Sequence, residues 1–387
     1  MTTSATLLLL GAGELGRELV IAARRLGLRV VAADRYPDAP AMQLADSAEV
    51  FSPLDGDTLE AVVRRIAPDY IVPEFEAVSI ERLLALEEAG FRVIPTAEAS
   101  ALTSDREAMR GLIGESLGLR TPVSRVVASE DTLREACDEI GYPAVVKPLR
   151  TSSGRGHSVV TGVTRVGQAW EYALAEAEDE GGRVMVEEFV EFESEITLLV
   201  VREWDGTLHF GIPIGHRQES GDYRESWMPV PLDEAQVAEL HRMAGGVVER
   251  LGGAGVFGVE FFLAADGIYL TEVTPRPHDT ALVTLVGQEV SQFDLHLRAL
   301  LGLPIPEFQS MGPAASAVIL ANRKGRVTGY EGVDRALLLE GTRIHLFGKP
   351  EAWSRRRMGV ALARAESLAE ARTRALEAAS RVDVVVE

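Results

Sequence analysis

The sequence has very little cysteine and no excess of basic residues. Only one of its 387 residues is a cysteine, Cys137, so an internal disulfide bond is excluded and a reducing, cytoplasmic location is expected. Lysine and arginine total 39 against 59 aspartate and glutamate, which gives a formal net charge of −20. Nucleic acid is therefore not expected as a partner, although a local cluster of cations could still bind a small anion.

Long hydrophobic runs are also missing. The first ten residues contain one short apolar stretch with no basic residue before it, so they resemble neither a signal peptide nor a membrane span. We therefore expect no membrane association. Hydrophobic residues nevertheless make up 46% of the chain, which is enough to fill the cores of two or three domains. The composition predicts a soluble, globular protein.

The order of the apolar runs predicts an α/β region followed by an α+β region. Short apolar runs alternate with helical patterns in the first hundred residues, which is typical of a parallel sheet with helices on both faces. The strands predicted there are 6–10, 29–33, 70–73 and 91–95. Residues 124–305 contain hairpin patterns that predict an antiparallel sheet. The segment after residue 312 is too short to bury a large core alone, and we expect it to pack on the other regions.

A glycine-rich turn follows the first predicted strand. Gly11, Gly13 and Gly16 are spaced so that backbone N–H groups at the start of a helix could bind a phosphate. Together with Asp34 at the end of the second strand, the pattern also fits the dinucleotide fingerprint of an NAD-dependent oxidoreductase. A third interpretation is that the glycines only permit a tight turn between strand and helix.

Glu260 and Glu272 are predicted to face each other across a hairpin. The turn-forming residues 264–267 lie between two apolar strands, and both glutamates are six residues from Asp266. Opposed Cβ atoms are about 5 Å apart, and two negative charges at that distance repel by roughly 3 kcal/mol at an effective dielectric constant of 20. Mg²⁺ prefers oxygen ligands and would offset this repulsion, whereas two solvated glutamates are the simpler alternative.

Three further segments carry cations or donors that suit anionic ligands. Lys147 ends an apolar strand and precedes the Ser/Gly-rich loop 150–157, whose backbone N–H groups could approach phosphate oxygens. Two prolines stiffen the segment 274–279, which would hold Arg276 and Asp279 beside the metal. Lys349 and the run Arg355–Arg357 form the densest basic cluster, which is either a solvated surface or a phosphate clamp.

Taken in order, these features resemble the ATP-grasp enzymes. Three strings, at 35–42, 215–227 and 275–279, are similar to those of the formate-dependent phosphoribosylglycinamide formyltransferases, and the resemblance covers essentially the whole chain. It implies an ATP-grasp fold with a Rossmann-like parallel-sheet domain at 1–110, an ATP-grasp domain at 111–305 and a small C-terminal domain at 306–387. It also implies a homodimer that formylates glycinamide ribonucleotide with formate and ATP.

The resemblance further implies which residues bind each substrate. ATP would be bound by Arg106, Lys147, Ser152, Ser153, Gly154, Arg155, Gly156, His157, Glu187, Glu188, Phe189, Val190 and Glu195. Glycinamide ribonucleotide would be bound by Glu14, Leu15, Glu74, Asp279, Lys349, Arg356 and Arg357. Mg²⁺ would be bound by Glu260 and Glu272, while Asp279, Arg276 and Lys147 would act in catalysis. The glycine-rich turn would then serve the ribonucleotide, and the oxidoreductase interpretation loses its main support.

Two positions depart from the usual patterns, and one rival remains. Arg155 stands where the family more often has lysine, and Thr274 stands where many ATP-grasp enzymes have asparagine. An ATP-grasp carboxylase acting on aminoimidazole ribonucleotide would need a similar metal pair, glycine turn and phosphate clamp. Only the strings at 215–227 and 275–279 separate the formyltransferase from this carboxylase.

Overall fold

A computed structural model describes residues 5–151, 154–177, 181–219 and 221–387 of the chain. It contains a parallel sheet near the N-terminus, a small antiparallel sheet, a long antiparallel sheet and a short three-stranded sheet. No helix in the described ranges is long and apolar enough to cross a membrane.

The first unit is a parallel sheet with helices on both faces. Its strands have the order β3-β2-β1-β4 and pair in parallel. In chain order its elements are β1 (Thr6–Leu10), α1 (Glu14–Arg25), β2 (Arg29–Asp34), β3 (Ser47–Val50), α2 (Gly56–Ile66), β4 (Tyr70–Pro73), α3 (Ile80–Glu88), α4 (Ala97–Thr103) and α5 (Arg106–Arg110). The strand predicted at 91–95 is wrong, because Val93 makes only an isolated bridge to Ile71.

Alternation within β1 explains why both faces of this sheet are covered. Leu7 and Leu9 belong to one core, whereas Leu8 and Leu10 belong to another that includes Leu59 of α2. Successive side chains of a strand point to opposite faces, so a strand of consecutive leucines must be buried on both. The carboxyl ends of these strands then lie at one edge, where Glu14 and Glu74 follow β1 and β4.

The second unit is a four-stranded antiparallel sheet with the order β5-β8-β6-β7. A π-helical turn at Gly111–Ser116 leads into it. Its elements are β5 (Ser124–Val127), α6 (Glu130–Ile140), β6 (Ala144–Pro148), β7 (Ser158–Val160), a 3-10 turn at Val163–Arg165, α7 (Val166–Ala175) and β8 (Val184–Glu188). Lys147 on β6 is paired with Met185 on β8, which brings the end of β6 next to Glu187.

The long sheet joins the middle of the chain to its C-terminal part. Its strands follow the order β14-β13-β9-β11-β12-β15-β19-β17, and β10 pairs with β9. The elements of the middle part are β9 (Ser194–Arg202), β10 (Leu208–Phe210), β11 (Ile214–Glu219), β12 (Asp222–Met228), α8 (Glu234–Leu251), β13 (Gly255–Ala264), β14 (Gly267–Thr274), a 3-10 turn at Asp279–Val283, α9 (Thr284–Gly287) and α10 (Gln292–Leu301).

The last segment packs on the rest of the molecule by continuing this sheet. Its elements are β15 (Ala314–Leu320), β16 (Gly325–Glu331), α11 (Val333–Leu337), β17 (Thr342–Leu346), β18 (Glu351–Ala352), β19 (Arg357–Arg364), α12 (Leu368–Ser380) and β20 (Asp383–Val386). Strand β15 pairs with β12, while β16, β18 and β20 form the short sheet. The expectation that this segment packs on the other regions is confirmed, although β15, β19 and α12 also bury a cluster of small apolar residues of their own. The boundaries at 110 and 305 stay predictions.

Candidate active site

Glu260 and Glu272 are cross-strand partners, as the hairpin pattern predicts. The turn consists of Ala265 and Asp266, because Ala264 pairs with Gly267. A regular ladder from this turn would place Glu260 opposite Thr271, but the register shifts by one residue between Glu260 and Phe261. This bulge brings Glu272 opposite Glu260. Bulges commonly redirect side chains next to functional sites.

Glu260 is a buried carboxylate with an incomplete set of partners. It is 8% exposed, and its Oε1 atom lies 3.1 Å from Nε2 of His278. Burial and the nearby charges of Glu272, Glu195 and Asp279 raise its pKa well above the ordinary value. Two neighbouring carboxylates that repel each other suit a hard divalent cation, so the residues present fit Mg²⁺.

The protein supplies only part of a metal coordination shell at this pair. Within the described ranges, no group of three or more histidine, cysteine, aspartate or glutamate side chains is arranged to hold a metal ion. Mg²⁺ typically binds one or two protein carboxylates and completes its shell with waters and nucleotide phosphates. Glu260 and Glu272 therefore fit a metal that arrives with a nucleotide better than a permanent structural metal.

A cluster with more cations than anions lies at the end of β6. The Glu187 carboxylate accepts from Lys147 Nζ and, at 2.7 Å, from Arg110 Nε. The two cations lower the pKa of this buried glutamate far below its ordinary value, although burial alone would raise it. Burial, Lys147 and Arg106 together lower the pKa of His157 to about 2. The surplus of positive charge favours an anionic ligand here.

The loop after β6 touches the β11–β12 hairpin through two glycines. A Cβ atom added to Gly154 would lie 2.8 Å from Cα of Gly221, and both residues have positive φ, +67° and +78°. Arg106 holds the base of the loop by donating to the carbonyl of Pro148 at 3.0 Å and to that of Thr151 at 3.2 Å. The predicted ligands Ser152 and Ser153 lie outside the described residues.

Two other residues of this loop have contacts of their own. Nη1 of Arg155 lies 3.5 Å from Oε2 of Glu176. Gly156 has a φ of +75°, and a Cβ atom there would lie 2.5 Å from Cγ of Pro148. Only glycine fits such a backbone position, so the loop geometry explains this part of its sequence.

The segment after β8 leaves the sheet at the predicted adenine-binding residues. Glu187 is paired with residues of both β5 and β6, whereas Phe189 and Val190 follow the end of the strand. Phe189 is exposed, and Val190 packs with Tyr269. Glu188 accepts from the backbone N–H of Val123 at 2.9 Å. Backbone groups beyond Glu188 are therefore the better candidates for adenine.

Glu195 is held in a largely buried position at the start of β9. Burial raises its pKa to about 7, and among the described residues only the backbone N–H of Gln218, at 3.3 Å, opposes this shift. Its cross-strand partners are His216 and Phe262. A carboxylate with so few donors has spare acceptor capacity, which suits the hydroxyl groups of a ribose.

Four of the predicted ribonucleotide ligands form one ion-pair network. Glu14 lies 2.8 Å from Nζ of Lys349 and 3.4 Å from Nη2 of Arg357. Arg357 also pairs with Asp279. Burial would raise the pKa of Glu14, but Lys349 and Arg357 lower it to about 2. The network joins residues from the N-terminal, middle and C-terminal parts of the chain.

The remaining predicted ligands surround this network. Glu74 is buried, and this burial raises its pKa well above the ordinary value. The charges of Glu14 and Asp279 raise the pKa further, whereas Arg276 lowers it. Arg276 donates to the carbonyl of Glu74 at 2.6 Å and pairs with Glu76. Leu15 is buried beside Glu14 in α1. The guanidinium of Arg356 lies 3.7 Å from the centre of the Trp353 ring, and its charge interacts with those of Glu14 and Lys349.

Sequence reasoning did not single out Arg110, Glu76, Thr197 or His216 in this region. Arg110 lies one turn after Arg106 in α5, so helical spacing could have indicated that both reach the Lys147 cluster. Glu76 follows Glu74 by two residues, but its pairing with Arg276 depends on the tertiary fold. Thr197 and His216 lie close to Glu260 only because their strands pair, and no local sequence pattern indicates this proximity.

Both oxygen atoms of the Asp34 carboxylate accept a hydrogen bond from the backbone of the protein itself. Its Oδ2 atom accepts from the backbone N–H of Ala12 at 2.8 Å, and its Oδ1 atom accepts from that of Arg35 at 2.7 Å. A Cβ atom on Gly16 would lie 2.7 Å from the Gly11 carbonyl oxygen. Asp34 thus stabilises the glycine-rich turn by a hydrogen bond to its backbone. This supports the interpretation that the glycines permit a tight turn between strand and helix.

The fold and site together define an ATP-grasp enzyme. The model of the ATP-grasp domain matches residues 112–293, that of the ribonucleotide synthetase preATP-grasp domain matches residues 4–103, and that of the PurT C-terminal domain matches residues 314–382. These ranges contain all of the predicted site residues except Arg106, which lies between the first and second of them along the chain.

Sequence similarity then identifies the family. A formate-dependent phosphoribosylglycinamide formyltransferase from Synechocystis sp. is 54% identical over 387 residues, which covers 100% of this chain and 99% of the relative. A second enzyme of that description, from Nitratidesulfovibrio vulgaris, is 53% identical over 384 residues and covers 99% of this chain and 98% of its own. The chain belongs to the family of formate-dependent phosphoribosylglycinamide formyltransferases.

Fold similarity alone does not distinguish this family from its rival. The solved structure of glycinamide-RNase-transformylase T from Mycobacterium tuberculosis has a TM-score of 0.81 at 36% identity and covers 97% of this chain and 99% of its own. An ADP complex of N5-carboxyaminoimidazole ribonucleotide synthetase has a TM-score of 0.87 at 29% identity. The match covers 97% of this chain and 96% of the synthetase chain. The carboxylase is at least as similar in fold, so the assignment depends on sequence identity.

Proposed function

We propose that this protein transfers a formyl group from formate to glycinamide ribonucleotide, with ATP converted to ADP and phosphate. The observation that carries the proposal is the position of Asp279. Its carboxylate pairs with Arg357 of the ribonucleotide network, and its charge contributes to the raised pKa of Glu260 at the metal pair. The proposed ribonucleotide site and the proposed metal–nucleotide site therefore meet at one residue.

In the proposed first step, a formate oxygen attacks the γ-phosphorus of ATP and ADP leaves, which gives formyl phosphate. Lys147 and Arg106 would bind the phosphates, and Gly154–His157 would lie over them. Mg²⁺, bound by Glu260 and Glu272, would neutralise charge on the transferred phosphoryl group. The cation surplus around Lys147 supports this role, since preorganised charge is the main catalytic contribution in phosphoryl transfer.

In the second step, the amine of glycinamide ribonucleotide attacks the carbonyl carbon of formyl phosphate. The C–O bond breaks, phosphate leaves, and the amine loses a proton. Glu74 and Asp279 are the carboxylates available for that proton. The raised pKa of Glu74 suits a proton acceptor, whereas Asp279 is held by the Arg357 guanidinium. Glu14, Leu15, Lys349 and Arg356 would hold the ribonucleotide, and Arg276 would orient Glu74.

Three finer points belong to this proposal. Mg²⁺ is the metal, because both ligands are hard carboxylates. The protein acts as a homodimer, as the family resemblance implies. It works in the cytoplasm without nucleic acid or membrane partners, which the single cysteine and the net charge of −20 support.

The test is ADP release measured with ATP and Mg²⁺ while formate and glycinamide ribonucleotide are omitted in turn. We expect sustained turnover only when both are present. A parallel reaction contains bicarbonate and aminoimidazole ribonucleotide, because the carboxylase is similar in fold. Turnover in that reaction, together with no response to formate, would overturn the proposal.

A further inference from the structure

Five buried or partly buried side chains form a ring that begins and ends at the Glu260 carboxylate. Nε2 of His278 lies 3.1 Å from Oε1 of Glu260, and Nδ1 of His278 lies 2.8 Å from Oγ1 of Thr280. Thr280 Oγ1 is 2.7 Å from Thr197 Oγ1, which is 3.1 Å from His216 Nδ1. His216 Nε2 lies 4.0 Å from Glu260 Oε2. Each carboxylate oxygen thus faces one imidazole.

The backbone makes this ring a rigid unit. Thr197 on β9 is paired with Glu260 on β13 and with Ile214 on β11, and His216 follows two residues along β11. Thr280 belongs to the 3-10 turn at Asp279–Val283. Residues of three adjacent strands and the following turn are therefore linked through their side chains on one face of the long sheet.

His216 is the member of the ring whose bonding is incomplete. It is 3% exposed, and its Nε2 atom has no hydrogen-bond partner within the part of the chain that the structure describes. When Thr197 donates to Nδ1 of the neutral imidazole, the single ring proton is on Nε2, the atom that faces Glu260. A buried unpaired donor is costly unless it has a use.

We propose that His216 is a positioning residue for Glu260. Its Nε2 faces the second oxygen of that carboxylate at 4.0 Å, beyond hydrogen-bond distance, and limits where this oxygen can move, while its Nδ1 anchors the Thr197 hydroxyl at the base of the ring. This inference rests on the proposed function, in which Glu260 binds Mg²⁺. Partners that orient a metal-binding side chain are typically worth about 10- to 100-fold in metal affinity.

The experiment compares two substitutions that separate the two nitrogen atoms. His216→Gln places an amide donor near the position of Nε2, whereas His216→Asn keeps a polar atom near Nδ1 and leaves the Nε2 position empty. Mn²⁺ is the probe, and its binding is followed by electron paramagnetic resonance with ADP present and without turnover. We expect His216→Asn to raise the dissociation constant by about tenfold or more, and His216→Gln to raise it by less. An unchanged constant in His216→Asn would overturn the proposal.

His296 supplies a matched control. It is fully buried, its Nδ1 accepts from the backbone N–H of Val256 at 3.1 Å, and its Nε2 also lacks a partner among the described residues. His296→Asn should lower the melting temperature without changing Mn²⁺ affinity. If His216→Asn gave the same pattern, its role would be structural only and the proposal would be wrong.

Two further variants keep the result interpretable. Thr197→Val removes the hydroxyl from the ring with little change in volume, so it should also weaken Mn²⁺ binding even if a His216 variant folds poorly. Glu260→Gln tests the underlying metal assignment. If Glu260→Gln abolishes Mn²⁺ binding while His216→Asn leaves it unchanged, only this inference fails. If Glu260→Gln has no effect, the metal site of the proposed function fails.

Discussion

Glu260 on β13 lies directly opposite Glu272 on β14 because a one-residue bulge separates the pair from the hairpin turn. Glu260 is buried, and Glu272 is exposed. The pair therefore has one carboxylate fixed by the sheet and one that faces solvent. Such an arrangement suits a cation that approaches from outside with a nucleotide.

We predict that Glu260→Gln and Glu272→Gln each abolish turnover while the fold is kept. Each substitution removes one negative charge at the metal with almost no change in side-chain volume. Burial and the neighbouring carboxylates raise the pKa of Glu260 in the folded state. Ionising this carboxyl therefore lowers the stability of the folded state as the pH rises above the ordinary glutamate pKa. At pH 8 the Glu260→Gln variant should therefore unfold at a temperature no lower than that of the wild type, as measured by circular dichroism.

Glu249→Gln is the matched control, because Glu249 is an exposed glutamate of α8. It should keep normal activity at every Mg²⁺ concentration. Near-normal activity of either site variant at saturating Mg²⁺ would show that the carboxylate pair does not bind the catalytic metal.

Arg356 and Arg357 are predicted to act on one substrate only. Arg356→Ala should raise the KM for glycinamide ribonucleotide by a factor of about ten or more, because a charged hydrogen bond is worth about 1.5–3 kcal/mol, and should leave the KM for ATP nearly unchanged. Arg357→Ala should have the same selectivity and should also lower the melting temperature, since it removes a cation from Glu14 and Asp279. Arg343→Ala on β17, at an exposed position, is the control. Equal effects on both substrates would refute the assignment.

The close contact between Gly154 and Gly221 predicts a selective effect on ATP. Gly221→Ala adds a methyl group 3.0 Å from Cα of Gly154 and must displace the loop. We expect a higher KM for ATP and a smaller change in that for the ribonucleotide. Gly252→Ala separates displacement from backbone strain, because Gly252 has a φ of +67° and no atom within 4 Å of an added Cβ. Both variants should lose stability, but only Gly221→Ala should weaken ATP use.

The buried carboxylate of Glu195 is predicted to bind the nucleotide but to lower the stability of the ligand-free protein. Burial raises its pKa to about 7, so its contribution to stability is present below the ordinary value of 4.5 and is lost as the pH rises through 7. Glu195→Gln should therefore raise the melting temperature of the ligand-free protein at pH 8 and leave it unchanged near pH 4. The same variant should bind ATP more weakly. A melting-temperature gain that does not depend on pH would contradict this explanation.

The sequence predicted the hairpin pair correctly, but for an incomplete reason. Symmetry about Asp266 places Glu260 opposite Glu272, whereas the turn is centred between Ala265 and Asp266 and the bulge makes up the difference. Apolar runs also gave the bounds of β1 and β4, since buried parallel strands are continuous hydrophobic stretches. The run at 91–95 is similarly apolar, but it makes one bridge only, at Val93.

Contacts between distant segments could not be read from local patterns. The pairing of Lys147 with Glu187 joins β6 to β8, and the pairing of Glu14 with Lys349 spans nearly the whole chain. Residue types indicated that these cations needed anions, but the partner depends on sheet order and register. The ring behind Glu260 depends on the same information, which is why His216 was not singled out.

The last prediction concerns the fate of the formate oxygens. If formate attacks the γ-phosphorus, one of its oxygens becomes the bridge between carbon and phosphorus in formyl phosphate. Attack by the amine at carbon then breaks the C–O bond, so that oxygen leaves with phosphate and the other remains in the formamide product. Formate labelled with oxygen-18 should therefore give phosphate with one labelled oxygen per turnover, as measured by mass spectrometry.

A parallel reaction with unlabelled formate in labelled water distinguishes this route from hydrolysis of ATP, in which the labelled oxygen comes from water. Unlabelled phosphate from labelled formate, or turnover that requires bicarbonate, would exclude formyl phosphate as the intermediate.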